Sequence, residues 1–433
     1  MRTIPPLPLL DHLRSATWHR HEAFERFPFV ISLIDGTLPL ASYIGQLRGF
    51  AVIFSALGQA LAQTASAASA SVRGAARIAA RFDLLCADLT FFAPRLVPDI
   101  LPAVRHALAT ARKIREVAAT SPDALLGYLY VLEGTTKGNQ VHLPDIIRCF
   151  QLQEENGTSF YRGYGADTPS HWEEFRSIMN SAGEEVASAA IDGAAEMFDE
   201  LERLHASLYP LAEKECGFTA TALNPEAGDH PVPQNPEILQ AALRAGRRCR
   251  EEFSYYERRY GERGRRFTDS DTAWLAALAD QPAPVVFDQV QWLGRVLSAR
   301  GMPFLLMERQ LELLVEELAE VPVDVPTAAL QAVLAELRQQ RENNFSGSSF
   351  EGTCGMVSPC FSASRSGTFP DLPLLYVAAQ SDLRAGLPEC VTSLTTWLKS
   401  VSLVTEEELA AAWEILASLQ TGAAEPSGSR PLI

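Results

Sequence analysis

A histidine followed one helical turn later by a carboxylate is a pattern that could do chemistry. The pair is His21 and Glu25, and on a helix the carboxylate would lie close enough to orient the imidazole. His21 extends an apolar stripe at three- and four-residue spacing and is predicted to point inward, with His19 roughly 200° away around the helix. The stripe consists of Leu10, Leu13, Thr17 and Phe24. An inward imidazole with such an acceptor suits an iron ligand, and the alternative is a core histidine bonded to a backbone carbonyl.

A pair of glycines interrupts an apolar helical stretch, residues 125–143. Gly134 and Gly138 each cost about 0.5–1 kcal/mol against alanine in a helix, so their presence needs a reason. One reason is close packing against a neighbouring helix. The other is a flat ligand that a backbone without side chains approaches closely, with the helix kinked above it.

The elements that position these residues are predicted to be helices. Apolar residues recur at three- and four-residue spacing in most of the chain, and strand-like alternation is scarce. The clearest helical segments are 43–62, 185–204, 285–299 and 304–318. Helix starts are predicted at 37–40, at Thr268 with Asp271, and at Thr405 with Glu408. The sequence therefore predicts an all-α fold.

The chain length, 433 residues, exceeds what one hydrophobic core usually serves, so two domains are expected. Residues 1–215 form the first predicted domain. Residues 216–235 are rich in Pro, Gly, Ala and Asn and are predicted to be a linker. Residues 236–433 form a second helical domain of unknown function, in which 343–373 is predicted to be an irregular loop.

The composition of the chain limits the classes of binding partner that we expect. The formal net charge of -16 repels phosphate backbones and argues against nucleic acid. The first residues carry charges and histidines where a signal peptide needs an apolar core, and no run approaches the roughly 20 apolar residues of a membrane span. We therefore expect a cytoplasmic protein with no membrane partner. The seven cysteines are scattered and odd in number, which favours reduced thiols. The sequence contains no CxxC pair, so a structural zinc site is not supported.

Residues 13–25, LRSATWHRHEAFE, resemble the opening of haem oxygenases, in which Leu-(Lys/Arg)-x-x-Thr-x-x-x-His-x-x-x-Glu carries the proximal iron ligand. The resemblance implies that His21, and not His19, is this ligand. The E-G-x-x-x-G form from Glu133 to Gly138 resembles the distal helix of the bacterial branch, including enzymes that accompany bacteriophytochromes. The resemblance covers roughly residues 8–205. It implies an all-α haem oxygenase-like domain in which Gly134 contributes to haem binding.

The same resemblance implies further contacts to haem. The segment GTSFYRGYG, residues 157–165, is similar to an aromatic segment of the family, with Phe160 and Tyr161 as walls of the pocket. The alternative for such aromatics is plain core. Arg14 and, less closely, Arg176 match basic residues that hold the haem propionates. The alternative for both is a solvated surface arginine.

Two positions depart from the family pattern. Thr135 stands where animal enzymes carry an aspartate that orders the distal water, an acid that bacterial members often lack. Asn139 stands where Gly or Ala is usual, and its amide would either hydrogen-bond dioxygen or its water, or crowd the site. Thr135, Gly138 and Asn139 are therefore the candidate catalytic residues.

The resemblance implies a biliverdin-forming haem oxygenase, with haem as both cofactor and substrate. Haem would be cleaved with O2 and external electrons, releasing iron and CO. The electrons would come from a separate ferredoxin, flavodoxin or reductase, because the chain has no GxGxxG fingerprint, and a bacteriophytochrome is a candidate acceptor of biliverdin. One alternative is a non-catalytic haem or bilin sensor. Another is a non-haem di-iron oxygenase, which needs several inward carboxylates and histidines.

The C-terminal half offers fewer chemical groups. Residues 236–433 contain no histidine, so an imidazole-bound metal is not expected there. The segment 244–266 holds nine arginines among tyrosines and acidic residues. It is either a helix face of Glu–Arg pairs or a docking patch for an acidic electron donor. Cys354 and Cys360 are predicted to be inert thiols.

Overall fold

The protein folds as helices grouped in two compact units, Met1–His230 and Pro231–Ile433. The computed structural model describes residues 8–64, 72, 81–153, 155–211, 215–345, 348–362 and 367–421. Among these residues, strands are confined to β1 (Asp99–Ile100) and β2 (Cys216–Gly217), which pair antiparallel. The all-α prediction is therefore confirmed.

The N-terminal unit is a bundle of helices around one apolar core. Its α-helices are α1 (Leu9–Phe24), α2 (Pro28–Ile34), α3 (Leu40–Thr64), α4 (Arg81–Phe92), α5 (Leu101–Thr120), α6 (Leu125–Phe150), α7 (Ser159–Arg162), α8 (Thr168–Asn180), α9 (Ala187–Leu208) and α10 (Ala220–Leu223). Short 3₁₀ turns lie at Ala93–Arg95, Pro122–Ala124, Gly165–Asp167 and Glu184–Val186.

Helix α3 is the central helix of this unit. By length and composition it is apolar enough to cross a membrane, contrary to the expectation that no run in the chain comes near that limit. Most of it is buried inside the protein, however, and Ile44, Leu47 and Ile53 are completely covered by the surrounding helices. A helix that is apolar on nearly all sides and enclosed by other helices is a core helix.

Helices α6 and α9 cross at very short range because glycines lie at their contact. A methyl group at Gly127 would come within 1.9 Å of the Ala190 carbonyl oxygen, and one at Gly193 within 2.2 Å of the Ala124 carbonyl oxygen. These two glycines are therefore required by packing. Beyond the crossing, α6 is assigned as one α-helix from Leu125 to Phe150, so the helix is not broken at Gly134 and Gly138.

The predicted linker, 216–235, is only partly irregular. Its beginning forms β2 and α10, and the Thr219 hydroxyl donates to the Asp99 carboxylate. Asp99 is itself buried and accepts from Arg48 Nη1 at 2.8 Å. These bonds attach residues 216–223 to the N-terminal unit, and the two units divide later, between His230 and Pro231.

The C-terminal unit consists of α11 (Pro236–Glu252), α12 (Tyr255–Ala277), α13 (Ala283–Ala299), α14 (Phe304–Ala319), α15 (Ala328–Asn343), α16 (Phe350–Val357), the 3₁₀ turn Ser358–Cys360, α17 (Leu372–Arg384), α18 (Pro388–Ser400) and α19 (Glu406–Thr421). The capping box before α19 is confirmed: the Thr405 N–H donates to Glu408 Oε2 at 2.9 Å, and the Glu408 N–H donates to Thr405 Oγ1 at 3.2 Å.

Two expectations for this unit are wrong. Thr268 does not start a helix; it lies inside α12, and its hydroxyl donates to the carbonyl one turn back, that of Gly264. The reason is that α12 begins at Tyr255 and continues past a non-helical residue, Gly261. The segment 343–373 is not irregular throughout, because it contains α16, which the Ser349 side chain caps.

Candidate functional site

His21 does not point inward as predicted. Its side chain is 55% exposed, whereas Leu10, Leu13 and Thr17 of the same stripe are buried. The reason is that the covered side of α1 shifts around the helix axis along its length. In the last two helical turns the residues that face α9 are Arg20 and Phe24. Arg20 pairs with Asp199, and the Phe24 ring lies 4.8 Å from the His205 ring. His21, about 100° from Arg20, is left at the edge of the stripe.

The surroundings of His21 fit a ligand-binding role in other respects. Glu25 Oε1 lies 3.5 Å from His21 Nδ1, which is the outer-shell contact the spacing predicts. The indole of Trp18 lies parallel to the imidazole with centroids 5.9 Å apart, and the Arg14 guanidinium lies 5.6 Å from the indole centroid. Arg14, Trp18 and His21 therefore form one exposed row on α1. Sequence reasoning missed Trp18, because a tryptophan on an apolar helix is usually core.

Helix α6 approaches α1 next to this row. Burial raises the pKa of Tyr130, while a hydrogen bond with Thr17 and the positive charge of Arg14 lower it. Thr17 lies one turn before His21 on α1. Tyr130 lies one turn before Gly134 on α6.

Both helices also pack against α9. Arg20 and Phe24 of α1 contact Asp199 and His205. Gly127 of α6 lies against Ala190, and the Tyr128 hydroxyl donates to Glu196.

The glycines of α6 lie on an open face. Outside the helix's own backbone, a methyl group at Gly134 or at Gly138 would meet no atom of the described residues within 4 Å, and Val141, one turn further on, is 72% exposed. Close helix packing, the first explanation for these glycines, is thereby excluded, in contrast to Gly127 on the same side of α6. The stripe without side chains faces open space and begins one turn after Tyr130, which interacts with Thr17 and Arg14 of α1.

Thr135 and Asn139 do not share this open face. Each follows a glycine by one position and so lies about 100° further around the helix. Thr135 Oγ1 accepts from Arg81 Nη1 at 2.9 Å, and Asn139 is buried. The prediction that these two side chains order water on the ligand side is therefore not supported by their placement: both face the interior, toward Arg81.

Phe160 and Tyr161 are core residues and not walls of the open face. Both are buried, and the Phe160 ring lies 4.1 Å from the Arg81 guanidinium. The Tyr161 hydroxyl donates to Gln46 Oε1 at 2.7 Å. They support α6 from behind, which is the plain-core alternative.

Arg176 is exposed on α8 and pairs with Glu173 on the same helix. This is the placement of a solvated surface arginine. Arg14 is also exposed, and its positive charge acts on Tyr130 of α6. Of the two predicted propionate contacts, Arg14 is the one that lies on the same exposed row of α1 as His21.

Sequence reasoning missed a buried polar chain behind the site. His205 Nδ1 donates to the Leu201 carbonyl at 2.7 Å, so its Nε2 accepts from Gln46 Nε2 at 2.9 Å. Gln46 Oε1 in turn accepts from Tyr161. Burial lowers the pKa of His205 to about 4. His205 is thus a neutral core histidine with both ring nitrogens bonded, and no motif distinguished it.

The basic segment of the C-terminal unit is largely internally paired. Arg244 and Arg248 bind Glu317 at 2.7 and 3.0 Å, and Arg250 binds Asp269 at 2.6 Å. A helix face of Glu–Arg pairs is therefore the better interpretation, and the docking patch loses much of its free charge. Burial raises the pKa of Cys354 to about 12 and also raises that of Cys360, as expected of inert thiols.

The described residues contain no group of three or more His, Cys, Asp or Glu side chains placed to hold a metal ion. The di-iron alternative, which needs such a group, gains no support from this arrangement. A single imidazole at the edge of an open face is instead the arrangement that a prosthetic group bringing its own metal would need.

Comparison with known proteins agrees with the motifs. Residues 7–205 match the family model described as Heme oxygenase, so the resemblance to haem oxygenases is confirmed over this segment. The match ends before the C-terminal unit, which stays unassigned. A search of curated proteins gives no match.

Solved structures similar to this chain include the haem oxygenase of Leptospira interrogans, at 20% identity over 46% of this chain and 99% of that chain, with a TM-score of 0.41. Haem oxygenase-1 of the cyanobacterium Synechocystis, in complex with haem, is 22% identical over 47% of this chain and 93% of that chain, with a TM-score of 0.42. Haem oxygenase-2 of Chlamydomonas reinhardtii, solved without haem, is 17% identical over 48% and 100%, with a TM-score of 0.39.

Proposed function

We propose that the N-terminal unit binds haem between the row on α1 and the open face of α6, and cleaves it oxidatively to biliverdin. The observation that carries the proposal is that Gly134 and Gly138 face open space, although each weakens the helix and neither is needed for packing. A flat macrocycle lying on this face would give both glycines a purpose.

The residues present fit that group. His21 is accessible, with Glu25 at Nδ1, so its Nε2 would be free to bind iron. Arg14, on the same exposed row of α1, would meet a propionate. Haem, when bound, would supply the iron at which dioxygen reacts. The chain would hold the macrocycle, orient it through Arg14 and cover one face with the backbone of α6, while electrons come from a separate donor.

A second candidate is a haem- or bilin-binding sensor without turnover. The observation that favours it is the orientation of Thr135 and Asn139, which are held by the interior of the protein and offer no proton donor to the open face. Haem oxygenation requires protons to reach the oxygen, and in this unit they would have to come through solvent at the open face.

Visible spectroscopy of the full chain separates the candidates. Haemin is added first, then a chemical reductant in air. We expect a Soret band on addition of haemin, then its decay with growth of the biliverdin absorbance. A stable Soret band in reductant and air would identify a binding protein, and failure to form any Soret band would overturn haem binding itself.

A further inference from the structure

The guanidinium of Arg81 is completely buried behind α6, on the side away from the open glycines. Nη1 donates to the Leu132 carbonyl and to Thr135 Oγ1, both at 2.9 Å, and Nη2 donates to the Phe160 carbonyl at 3.2 Å. A buried cation is costly unless its donors are bonded, so these contacts are strong constraints on the groups that accept them.

Asn139 adds a fourth bond. With its amide oriented as its neighbours require, Oδ1 accepts from Arg81 Nη2 at 2.8 Å and the amide nitrogen donates to the Thr135 carbonyl at 3.2 Å. Arg81 thereby bonds two successive turns of α6, at Leu132, Thr135 and Asn139. These are the turns that contain Gly134 and Gly138.

The charge of Arg81 is balanced inside the same cluster. Glu133 is buried, and its two carboxylate oxygens each accept from the Tyr164 hydroxyl at 3.2 Å. Burial raises the pKa of Glu133 and the positive charge of Arg81 opposes that rise, so each group favours the charged form of the other. Arg81 and Glu133 are thus buried groups of opposite charge that act on each other within one cluster.

We propose that Arg81 is a positioning residue, which holds the glycine turns of α6 in helical form from behind and so keeps the open face in shape for haem. The inference rests on the proposed function for the identity of the ligand. The physical basis of the inference does not depend on that function, because two glycines on an open helix face weaken the helix and favour fraying. Bonds from a buried cation to the opposite side of the same turns offset that loss.

The test compares two buried arginines of the same unit. Arg81→Met removes the bonds to α6. Arg48→Met is the matched control: Arg48 is buried, donates to the Val97 carbonyl and Asp99, both at 2.8 Å, and makes no bond to α6. Amide hydrogen exchange is measured on the haem-free full chain, and haemin affinity is measured by titration.

We expect Arg81→Met to speed exchange within 134–141 on the order of tenfold beyond the rest of the unit, and to weaken haemin binding by a similar factor. Arg48→Met should speed exchange without singling out these residues, and Arg81→Lys should restore part of the protection. The same exchange pattern in both methionine variants would show that Arg81 is merely structural and would overturn the proposal.

Two further arms keep the test decisive. Should Arg81→Met not fold, Asn139→Ala removes one acceptor only and should speed exchange at the same turns to a smaller extent; unchanged exchange there would overturn the proposal. Should the wild-type chain bind no haemin, the proposed function fails, while the exchange comparison still decides whether Arg81 holds the glycine turns.

Discussion

The imidazole Nδ1 of His21 lies 3.5 Å from Oε1 of Glu25, on the exposed side of α1. A carboxylate at Nδ1 favours the tautomer that carries its proton there, which leaves the lone pair of Nε2 directed away from Glu25. An imidazole in this form can bind a metal through Nε2, and under the proposed function that metal would arrive with its own macrocycle.

Replacement of His21 by alanine should remove the proposed protein ligand of the haem iron. We expect His21→Ala to lose the ferrous-haem spectrum and turnover, with added imidazole restoring part of both, because a free imidazole can enter the space that the side chain leaves. His19→Ala is the control, since His19 is also exposed on α1. Equal damage from the two substitutions would remove His21 from the site.

Gly134→Ala should both stabilise the ligand-free N-terminal unit and lower its affinity for haem. A methyl group there meets no atom within 4 Å, so the ligand-free unit should gain about 0.5–1 kcal/mol from helix propensity alone. The same methyl group would keep a macrocycle from lying against the helix. Urea unfolding and haemin titration measure the two effects.

Gly127→Ala is the matched control for this substitution, because Gly127 lies on the same side of α6 but against α9. Its methyl group would clash with the Ala190 carbonyl, so we expect a loss of stability of at least about 1 kcal/mol. An unchanged haemin affinity in Gly134→Ala would mean that the open face does not receive the ligand.

The helical fold could be predicted because its signals are local. The three- and four-residue spacing of apolar residues predicted the helices α3, α9, α13 and α14. The capping box at Thr405 and Glu408 is present as expected. The start predicted at Thr268 failed because a capping side chain also occurs inside helices, where its hydroxyl bonds to the preceding turn.

The site could be predicted only in part, because side-chain direction depends on which neighbouring helix covers each face. The stripe on α1 was correct for Leu13 and Thr17 but not for His21, since the crossing with α9 shifts the covered side toward Arg20. Gly134 was singled out by its helix cost, and the structure places it on an open face of α6. Arg81 gave no signal, because its partners are far away in sequence.

The boundary between the units predicts how the chain can be divided. A fragment that ends after His230 keeps Thr219 on Asp99 and β2 on β1, whereas one that ends after Glu215 loses both. We expect the shorter fragment to be less stable by on the order of 2 kcal/mol, because Asp99 is buried and loses a hydrogen-bond donor. Denaturant unfolding of the two fragments compares them directly; equal midpoints would show that residues 216–230 act as a true linker.

His205 should make the N-terminal unit sensitive to acid. Burial lowers its pKa from the ordinary 6.5 to about 4 in the folded protein. Between pH 6.5 and pH 4 the His205 imidazole is protonated in the unfolded chain but not in the folded chain. The free energy of unfolding therefore falls as the pH falls from 6.5 to 4. Each pH unit in this window should cost about 1.4 kcal/mol from this residue alone.

The contribution of His205 can be isolated by a substitution that removes the titration and keeps a polar group. His205→Gln leaves an amide that can still accept from Gln46, so the variant should fold. Other buried groups titrate in both proteins and cancel in the difference. We expect the free energies of unfolding of wild type and variant to converge as the pH is lowered from 6.5 to 4, because only the wild type loses the stability that depends on a neutral His205. Parallel curves over that window would show that His205 takes up its proton in the folded and unfolded chains alike.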